Sequence, residues 1–245
     1  MSYEIRWLRT DEWDECLDLL AEVMEASRGY FSDSFKQNGT SAPSLICVVD
    51  GEIASHIRIF DTHKQVGGCL VRAANIGDVC THPRHRGRGY MTALLNVAAQ
   101  QLYLQGYDIS VVHSGVPIYQ KGGWVAFPEP EQYLLWRLIN ITSLFARIAP
   151  VFEARAAKMA KPYQGVIAVF CNGQRAFVEF TKQWVRPLDH CSEPSLTLDL
   201  DQLTFFRLLM GRDTPAELDL PARLSLSDRD AEVLAALFPK RRPEF

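Results

Sequence analysis

Residues 84–90 combine residue types that bind phosphate groups. Three arginines and two glycines lie close together there, namely Arg84, Arg86, Gly87, Arg88 and Gly89. Glycine lets the backbone approach a ligand closely, and the free N–H groups at the start of a following helix favour an anion. The guanidinium groups add charge-assisted hydrogen bonds to a pyrophosphate or a 3′-phosphate. The stretch therefore predicts a binding site for a phosphate-bearing ligand.

The elements on both sides of this loop would position it. An apolar-leaning run at 76–81 predicts a strand that stops before Pro83, and a helical pattern opens at Tyr90. The spacing of the loop differs from the Gly-x-x-x-x-Gly-Lys-Ser/Thr and Gly-x-Gly-x-x-Gly motifs of common nucleotide-binding proteins. We therefore expect a strand, a basic loop and a helix that form an anion site of another kind.

The composition is that of an ordinary globular protein. The chain has 245 residues, of which 47% are hydrophobic and 22% charged, and this length suits one large or two modest domains. A net charge of -3 gives no general reason to expect nucleic acid as a partner. Six scattered cysteines without a Cys-x-x-Cys spacing predict reduced thiols and no metal. With neither an apolar leader nor a long apolar run, we expect a cytoplasmic protein without a membrane span.

The first 138 residues predict a mixed sheet with helices on its faces. Before the basic loop we expect strands at 3–8, 44–49, 52–60 and 69–74, with a helix from Thr10 or Asp11 and a surface loop or short helix within 25–43. After the loop we expect a helix at 88–104, strands at 108–112, 124–127 and 133–136, and a short helix at 118–121 behind Pro117.

The last hundred residues have a different pattern. Residues 140–161 predict a helical connection that Pro150 breaks. Alternation of period two then predicts a hairpin of 165–170 and 175–180, a further strand at 195–200, and helices capped by Asp201 and Asp228. Five apolar residues of this part fit either a lipid tunnel or an ordinary core; they are Phe177, Phe180, Leu203, Phe205 and Phe206.

Two motifs carry a resemblance to a known family. Arg84-x-x-Gly87-x-Gly89, between a strand and a long helix, resembles the acyl-CoA signature of the GNAT acetyltransferase superfamily. The segment Ile118-Tyr119-x-x-x-Gly123-Trp124 is similar to the Tyr-x-x-x-Gly-aromatic ending of its domain. The resemblance implies an α/β (α+β) chain whose residues 1–139 form a mixed-sheet GNAT acyltransferase domain.

The C-terminal part resembles a second known domain. Residues 163–245 are similar to the sterol-carrier-protein-like domain that closes the enhanced-intracellular-survival (Eis) acetyltransferases. The resemblance rests on the hairpin, residues 203–211 and the ending Leu237-Phe238-Pro239. We therefore expect a smaller α+β domain at 163–245 behind a helical linker at 140–162. Typical Eis enzymes insert a second acetyltransferase-like domain where this chain has only the linker.

The GNAT resemblance implies acetyl-CoA as co-substrate, with no metal, and assigns residues to it. The strand residues Val79, Cys80 and Thr81 would line the pantetheine through backbone hydrogen bonds, with the Val79 amide as oxyanion donor. The pyrophosphate would lie on Arg84, His85, Arg86, Gly87, Arg88, Gly89 and Tyr90.

Three further residues come from the segment before and within the short helix. Tyr119 matches the family tyrosine that protonates the CoA sulfur, although it also fits a core aromatic. His113 matches a histidine of the family pattern or is a structural histidine. Ser114 would hydrogen-bond the pantetheine or its own helix N-terminus.

The proton acceptor is a separate question. In Eis-like enzymes the terminal carboxylate enters the active site, which implies that role for Phe245; the alternative for this end of the chain is a frayed basic tail. Glu52, Glu129 and Glu131 are expected to be solvated. The expected activity is N-acetyl transfer by direct attack in a ternary complex, to an amine-bearing small molecule or a protein lysine. The alternative is a regulatory protein that senses acyl-CoA or binds a lipid or partner without turnover. A homo-oligomer fits either expectation.

Overall fold

The computed structural model of the chain describes residues 2–37, 43–126 and 134–241, and the strands in these ranges form two sheets. The strands of the first sheet are β1 (Tyr3–Trp7), β2 (Ser44–Val49), β3 (Glu52–Val66), β4 (Cys69–Thr81), β5 (Ile109–His113), β6 (Val125–Ala126) and β7 (Leu134–Leu138). Their order across the sheet is β1-β2-β3-β4-β5-β7-β6. Neighbours are antiparallel except for β4 and β5, which run parallel.

Helices cover both faces of this sheet. They are α1 (Trp13–Met24), α2 (Arg28–Gln37), α3 (Tyr90–Leu104) and α4 (Ile118–Lys121). On one face, α3 buries Leu94 and Leu95 against β2 residues such as Leu45. On the other face, α1 and α2 bury Leu20 and Phe31 together with the next β2 residue, Ile46. Because successive residues of a strand point to opposite faces, β2 contributes to both layers.

The second sheet lies in the C-terminal part of the chain. Its strands are β8 (Gly165–Cys171), β9 (Gln174–Phe180), β10 (Val185–Leu188) and β11 (Leu196–Leu200), in the order β10-β9-β8-β11. The helices of this part are α5 (Ile141–Ala156), α6 (Gln202–Leu209), α7 (Leu220–Arg223) and α8 (Asp228–Leu237). This mixed α/β architecture confirms the predicted fold class, while the sterol-carrier-like assignment stays a prediction.

One hydrophobic core is common to the two sheets. Val111 and Trp136 of the first sheet belong to the same buried cluster as Phe145 of α5 and Phe206 of α6. The rings of Trp136 and Phe206 lie 5.6 Å apart, edge to face. The helix within residues 140–162 is thus a packed element of this core, and the domain boundaries at 139 and 162 stay a prediction.

Several local expectations are decided or corrected by the fold. Of the two alternatives for residues 25–43, the short helix is the one found, over Arg28–Gln37, and Phe31 and Phe35 are buried on it. Pro150 lies inside α5 without breaking it, since the apolar face of that helix is held in the core. Ser227, not Asp228, caps α8: its side chain accepts a hydrogen bond from the Asp230 N–H.

Two short elements were not expected from the sequence. Strand β10 pairs with β9, and α7 is a single turn of helix that begins with Leu220-Pro221. Strand β4, in contrast, is longer than expected, because the predicted strands at 69–74 and 76–81 form one element.

The aromatic residues of the C-terminal part form a core. Phe177, Phe180, Phe205 and Phe206 are all buried. The apolar cavity between α5, α8 and the second sheet has a volume of only about 10 Å³, which is space for one water molecule at most. The described residues therefore form a filled core at this place rather than a lipid tunnel.

No helix among the described residues combines the length and the apolar character required to cross a bilayer.

Candidate active site

Strands β4 and β5 separate at the end of their pairing. They pair in parallel from Ala73 with Ile109 to Ile76 with Val112. Beyond Ile76, the described residues of β4 pair with β3 on the other side, while His113 of β5 pairs with β7. The carboxyl ends of two parallel strands thus diverge, and such a crevice is where α/β sheets bind ligands.

A β-bulge at Asp78 lies at this point of divergence. The pairing of β4 with β3 shifts by one residue between His56 and Arg58, and Asp78 has the left-handed φ of 48°. The Asp78 carbonyl oxygen accepts a hydrogen bond of 2.8 Å from Nδ1 of His56. Burial lowers the pKa of His56 to about 4, so its ring is neutral. A bulge re-aims side chains, and here it sets the direction of the Asp78 carboxylate.

The basic loop follows β4 as expected. Residues Pro83–His85 form a turn of 3₁₀ helix, and α3 begins at Tyr90. Gly87 and Gly89 have left-handed φ values of 74° and 82°, and a Cβ on either would meet no atom within 4 Å. The loop therefore keeps open space beside its backbone, as close approach of a ligand requires.

One cleft of about 570 Å³ lies between β4, this loop and α4. Most of the residues that the resemblance implicated line it; they are Val79, Cys80, Thr81, His85, Arg86, Gly87, Gly89, Tyr90 and Tyr119. Lys121 adds a further cationic group to the wall. The fold thus brings the strand, the loop and the tyrosine of the short helix to one place.

The remaining implicated residues that the structure describes do not line this cleft. Arg84 and Arg88 are exposed on the loop, and Arg84 forms an exposed ion pair of 3.7 Å with Glu52. His113 is exposed at the end of β5. The Ser114 hydroxyl accepts a hydrogen bond of 3.1 Å from the Val116 N–H, which precedes α4, so both roles considered for Ser114 stay predictions.

Three carboxylates considered at the sequence level lie outside the described residues. They are the terminal carboxylate of Phe245 and the side chains of Glu129 and Glu131. The role expected of the terminal carboxylate and the solvation expected of Glu129 and Glu131 therefore stay predictions.

Tyr119 is a protonated phenol on the wall of the cleft. It is 5% exposed, and its ring packs edge-on against Trp124 at 6.3 Å. Burial raises the pKa of Tyr119 to about 12, against the smaller opposite effect of a hydrogen bond with Ser114. At neutral pH this hydroxyl is able to donate a proton or a hydrogen bond.

A buried ion pair beside the cleft was missed by the sequence analysis. Arg58 is 2% exposed, and its Nη2 lies 2.6 Å from Oδ2 of Asp78. Its guanidinium group lies over the rings of Phe35 and Phe60, 4.0 and 4.5 Å from their centroids, and donates to the Ser34 hydroxyl at 2.8 Å. The sequence signal that could have indicated this ion pair is that Arg58 and Asp78 are charged residues within two otherwise apolar strand patterns.

The Asp78 carboxylate combines partial burial with a cationic neighbour. Its side chain is 20% exposed. Burial raises the pKa of Asp78, and the nearby Arg58 charge only partly opposes this effect. A carboxylate with a raised pKa next to a cleft has the properties of a proton acceptor.

No group of three or more metal-ligating side chains occurs within residues 2–37, 43–126 and 134–241.

Comparison with solved structures finds the whole fold in other proteins. A probable N-acyltransferase of unknown function from Enterococcus faecalis V583 has a TM-score of 0.75 at 10% identity, over 100% of this chain and 99% of that chain. Eis1 from Mycobacterium abscessus has a TM-score of 0.65 at 12% identity, over 100% and 99% of the two chains. Escherichia coli YhbS, a GNAT family N-acetyltransferase solved with CoA, has a TM-score of 0.50 at 16% identity, over 58% and 84%. At these identities the likeness shows the fold alone.

The sequence comparison identifies the family. No curated protein matches the chain significantly. The model of the acetyltransferase (GNAT) domain, in contrast, matches residues 4–127, which is just over half of the chain. This range contains the cleft, the basic loop and Tyr119. The chain is therefore an acetyltransferase of the GNAT family, as the sequence motifs predicted.

Proposed function

We propose that the protein transfers an acetyl group from acetyl-CoA to an amine by direct attack in a ternary complex. The observation that carries this proposal is the meeting of three features in one cleft: the diverging strand β4, the basic loop and the buried phenol of Tyr119. Acetyl transfer requires a place for the phosphates, donors for the oxyanion and a proton for the leaving thiolate. Each requirement has a candidate group here.

The residues of the cleft fit coenzyme A as a substrate. The left-handed glycines Gly87 and Gly89 leave open space beside the N-terminus of the fifteen-residue helix α3. Arg86 and Lys121 supply positive charge from opposite sides of the cleft. This combination favours a pyrophosphate group. Val79 and Thr81, which lie beyond the pairing with β5, would line the pantetheine arm.

In the proposed reaction, the amine nitrogen attacks the thioester carbonyl carbon, and the C–N bond forms as the C–S bond breaks. The Val79 amide donates to the oxyanion. Tyr119 gives its proton to the leaving sulfur, which departs as the CoA thiol. The second proton, from the attacking amine, requires an acceptor.

We assign that acceptor role to Asp78 rather than to the terminal carboxylate. Arg241, the last described residue, lies against the β3–β4 turn, since a Cβ at Gly67 would be 2.7 Å from its Nη1. That turn is at the other end of β4 from Val79, about 40 Å away along the strand at about 3.3 Å per residue. The four residues after Arg241 span about 14 Å when extended. Asp78, in contrast, immediately precedes Val79.

Several finer assignments remain proposals. The acceptor is a small amine or a protein lysine, the protein is cytoplasmic, and residues 163–245 form a sterol-carrier-like domain in a homo-oligomer. Support for an Eis-like organisation comes from the structural likeness to Eis1, which extends over the full chain.

The test is release of free CoA thiol from acetyl-CoA with a panel of amines. Tyr119→Phe should lower kcat by about 100-fold, the lower end of the range for general acid catalysis, while the affinity for acetyl-CoA is kept. Tyr119→Phe with normal turnover would show that the assigned acid is wrong. Tight binding of acetyl-CoA by the unaltered chain without turnover of any amine would indicate a sensor instead.

A second comparison decides between the two proton acceptors. Asp78→Asn should remove most of the turnover near neutral pH, whereas a chain lacking Glu244 and Phe245 should keep it. Loss of turnover in the truncated chain, with Asp78→Asn active, would assign the role to the terminal carboxylate.

A further inference from the structure

The short helix that carries Tyr119 depends on contacts beyond its own ends. Helix α4 has only four residues, and a helix of this length is not stable by itself. The two carbonyl groups that follow its last residue, those of Gly122 and Gly123, are bound by two side chains. The Gly122 oxygen accepts a hydrogen bond from Nη1 of Arg137. The Gly123 oxygen accepts one of 2.8 Å from Nε2 of Gln202, which lies 79 residues further along the chain.

The Gln202 side chain uses all of its hydrogen-bonding capacity. It is 6% exposed at the start of α6. Besides Gly123, its Nε2 donates to the Trp136 oxygen at 3.4 Å. Its Oε1 accepts from the Leu138 N–H at 2.9 Å and from Nδ2 of Asn172 at 3.1 Å. The partners fix the orientation of the amide, because carbonyl groups require the nitrogen and N–H groups require the oxygen.

The backbone of Gln202 is also held in place. Asp201 caps α6, with its Oδ1 accepting from the Thr204 N–H at 2.9 Å. Phe206, one turn later, packs against the ring of Trp136. A buried polar group that is fully satisfied and held on a fixed helix specifies one arrangement of its partners.

We propose that Gln202 is a positioning residue of the acetyltransferase site, through which the C-terminal part of the chain fixes the turn that ends α4 and thereby the Tyr119 hydroxyl. The inference rests on the proposed function, because it requires Tyr119 to be the acid. Gln202 itself touches neither substrate in this proposal. Loss of its Nε2 donor frees the Gly123 carbonyl and lets the turn move.

The chain offers a matched control in Gln174. Its Oε1 accepts from the Ile141 N–H at 3.0 Å, and its Nε2 donates to the Leu138 oxygen at 3.3 Å. Through this amide, Gln174 of the second sheet is joined to Leu138 of the first sheet, which Gln202 also contacts. Gln174 makes no hydrogen bond to the described turn after α4. Gln174→Met removes a comparable interaction without touching the proposed route to Tyr119.

The experiment compares steady-state kinetics of Gln202→Met and Gln174→Met in the full chain. Gln202→Met should lower kcat by about 10-fold to 100-fold with KM for acetyl-CoA changed by less than about 3-fold, as expected for a misplaced catalytic group. Gln174→Met should keep kcat within about 2-fold, although both variants lower the melting temperature. If Gln202→Met does not fold, Gln202→Asn takes its place in the comparison and should show the same loss of kcat, because its amide is too short to reach Gly123.

A double-mutant cycle tests whether Gln202 acts through Tyr119. In a Tyr119→Phe background, Gln202→Met should lower kcat by less than about 2-fold, because residues of one unit have non-additive effects. The inference would be overturned if the kcat losses of Tyr119→Phe and Gln202→Met multiply in the double variant, or if Gln174→Met loses as much kcat as Gln202→Met. In either case the proposed function would stand. Normal turnover by Tyr119→Phe alone would refute the acid assignment and the inference with it.

Discussion

Replacing Arg58 should change the pH at which the enzyme works. The guanidinium group of Arg58 is the cationic neighbour of Asp78, with 2.6 Å between Nη2 and Oδ2. Two unit charges 4 Å apart interact by about 4 kcal/mol at an effective dielectric constant of 20. A cationic neighbour typically lowers a carboxyl pKa by about 1–3 units. Because the Asp78 side chain is 20% exposed, we expect the lower part of this range, about 1–2 units.

Arg58→Met should therefore raise the pKa of Asp78 by about 1–2 units. Burial already raises this pKa above its ordinary value, and the variant should raise it further, so that a smaller fraction of the carboxyl group is ionised at a given pH. If Asp78 accepts the proton of the amine, the acidic limb of the kcat/KM profile moves to higher pH by the same amount. Methionine still fills the space between the two phenylalanine rings.

Arg58→Lys is the control, because it keeps a positive charge at this place. The acidic limb of its kcat/KM profile should stay within about half a pH unit of that of the unaltered enzyme. Three other titratable groups near the pair have pKa values outside the range from pH 5 to pH 9. Burial raises the pKa values of Cys16 and Cys80 to about 12 and lowers that of His56 to about 4.

The stability of Arg58→Met gives an independent measure of the same shift. A carboxyl whose pKa is raised in the folded state favours folding below its unfolded pKa, and this contribution is lost as the pH rises through the folded pKa. The variant should therefore lose stability relative to the unaltered chain as the pH rises from the folded pKa of Asp78 in the unaltered chain to its higher folded pKa in the variant. A folded variant that binds acetyl-CoA and keeps the original acidic limb would refute the assignment of Asp78.

Two further predictions concern the first strand and the basic loop. Hydrogen bonds from Arg6 lower the pKa of Glu12 to about 2, so its contribution to stability is present above its unfolded pKa and is lost as pH falls through 2. In urea unfolding, Glu12→Gln should cost about 1 kcal/mol at pH 7, and equal costs at pH 7 and pH 3 would contradict this. Gly89→Ala, with its φ of 82°, should raise KM for acetyl-CoA by about 10-fold, since a left-handed alanine costs about 1–2 kcal/mol. Gly51→Ala, at a turn with φ of 90°, is its control and should leave KM unchanged.

Local patterns in the sequence were sufficient for much of the site. The basic loop, the short helix behind Pro117 and the hairpin at Asp50-Gly51 depend on residues close together in the chain. Their glycines and prolines restrict the backbone directly, so the residue types predict the geometry. The same is true of the helix at 203–209, where Asp201 forms the predicted cap.

Other parts of the site depend on pairing over long distances. Asp78 faces Arg58 because of a one-residue shift in the register of β3 and β4, and no local pattern at 76–81 indicates that shift. The helix at 28–37 has a polar composition, and the burial of Phe31 and Phe35 against the sheet is what distinguishes it from a loop. In both cases tertiary contacts determine the result.

The packing also determines what the C-terminal part contributes to acetyl transfer. Trp136 lies on β7, which pairs with β5, and its ring is buried against Phe206 of α6. A chain that ended before α5 would expose Trp136 and would leave the Leu138 N–H and the Gly123 carbonyl without Gln202. Loss of activity in such a truncation would follow from these lost contacts alone. Single substitutions at Gln202 and Gln174 are therefore the informative test of how the two parts are coupled.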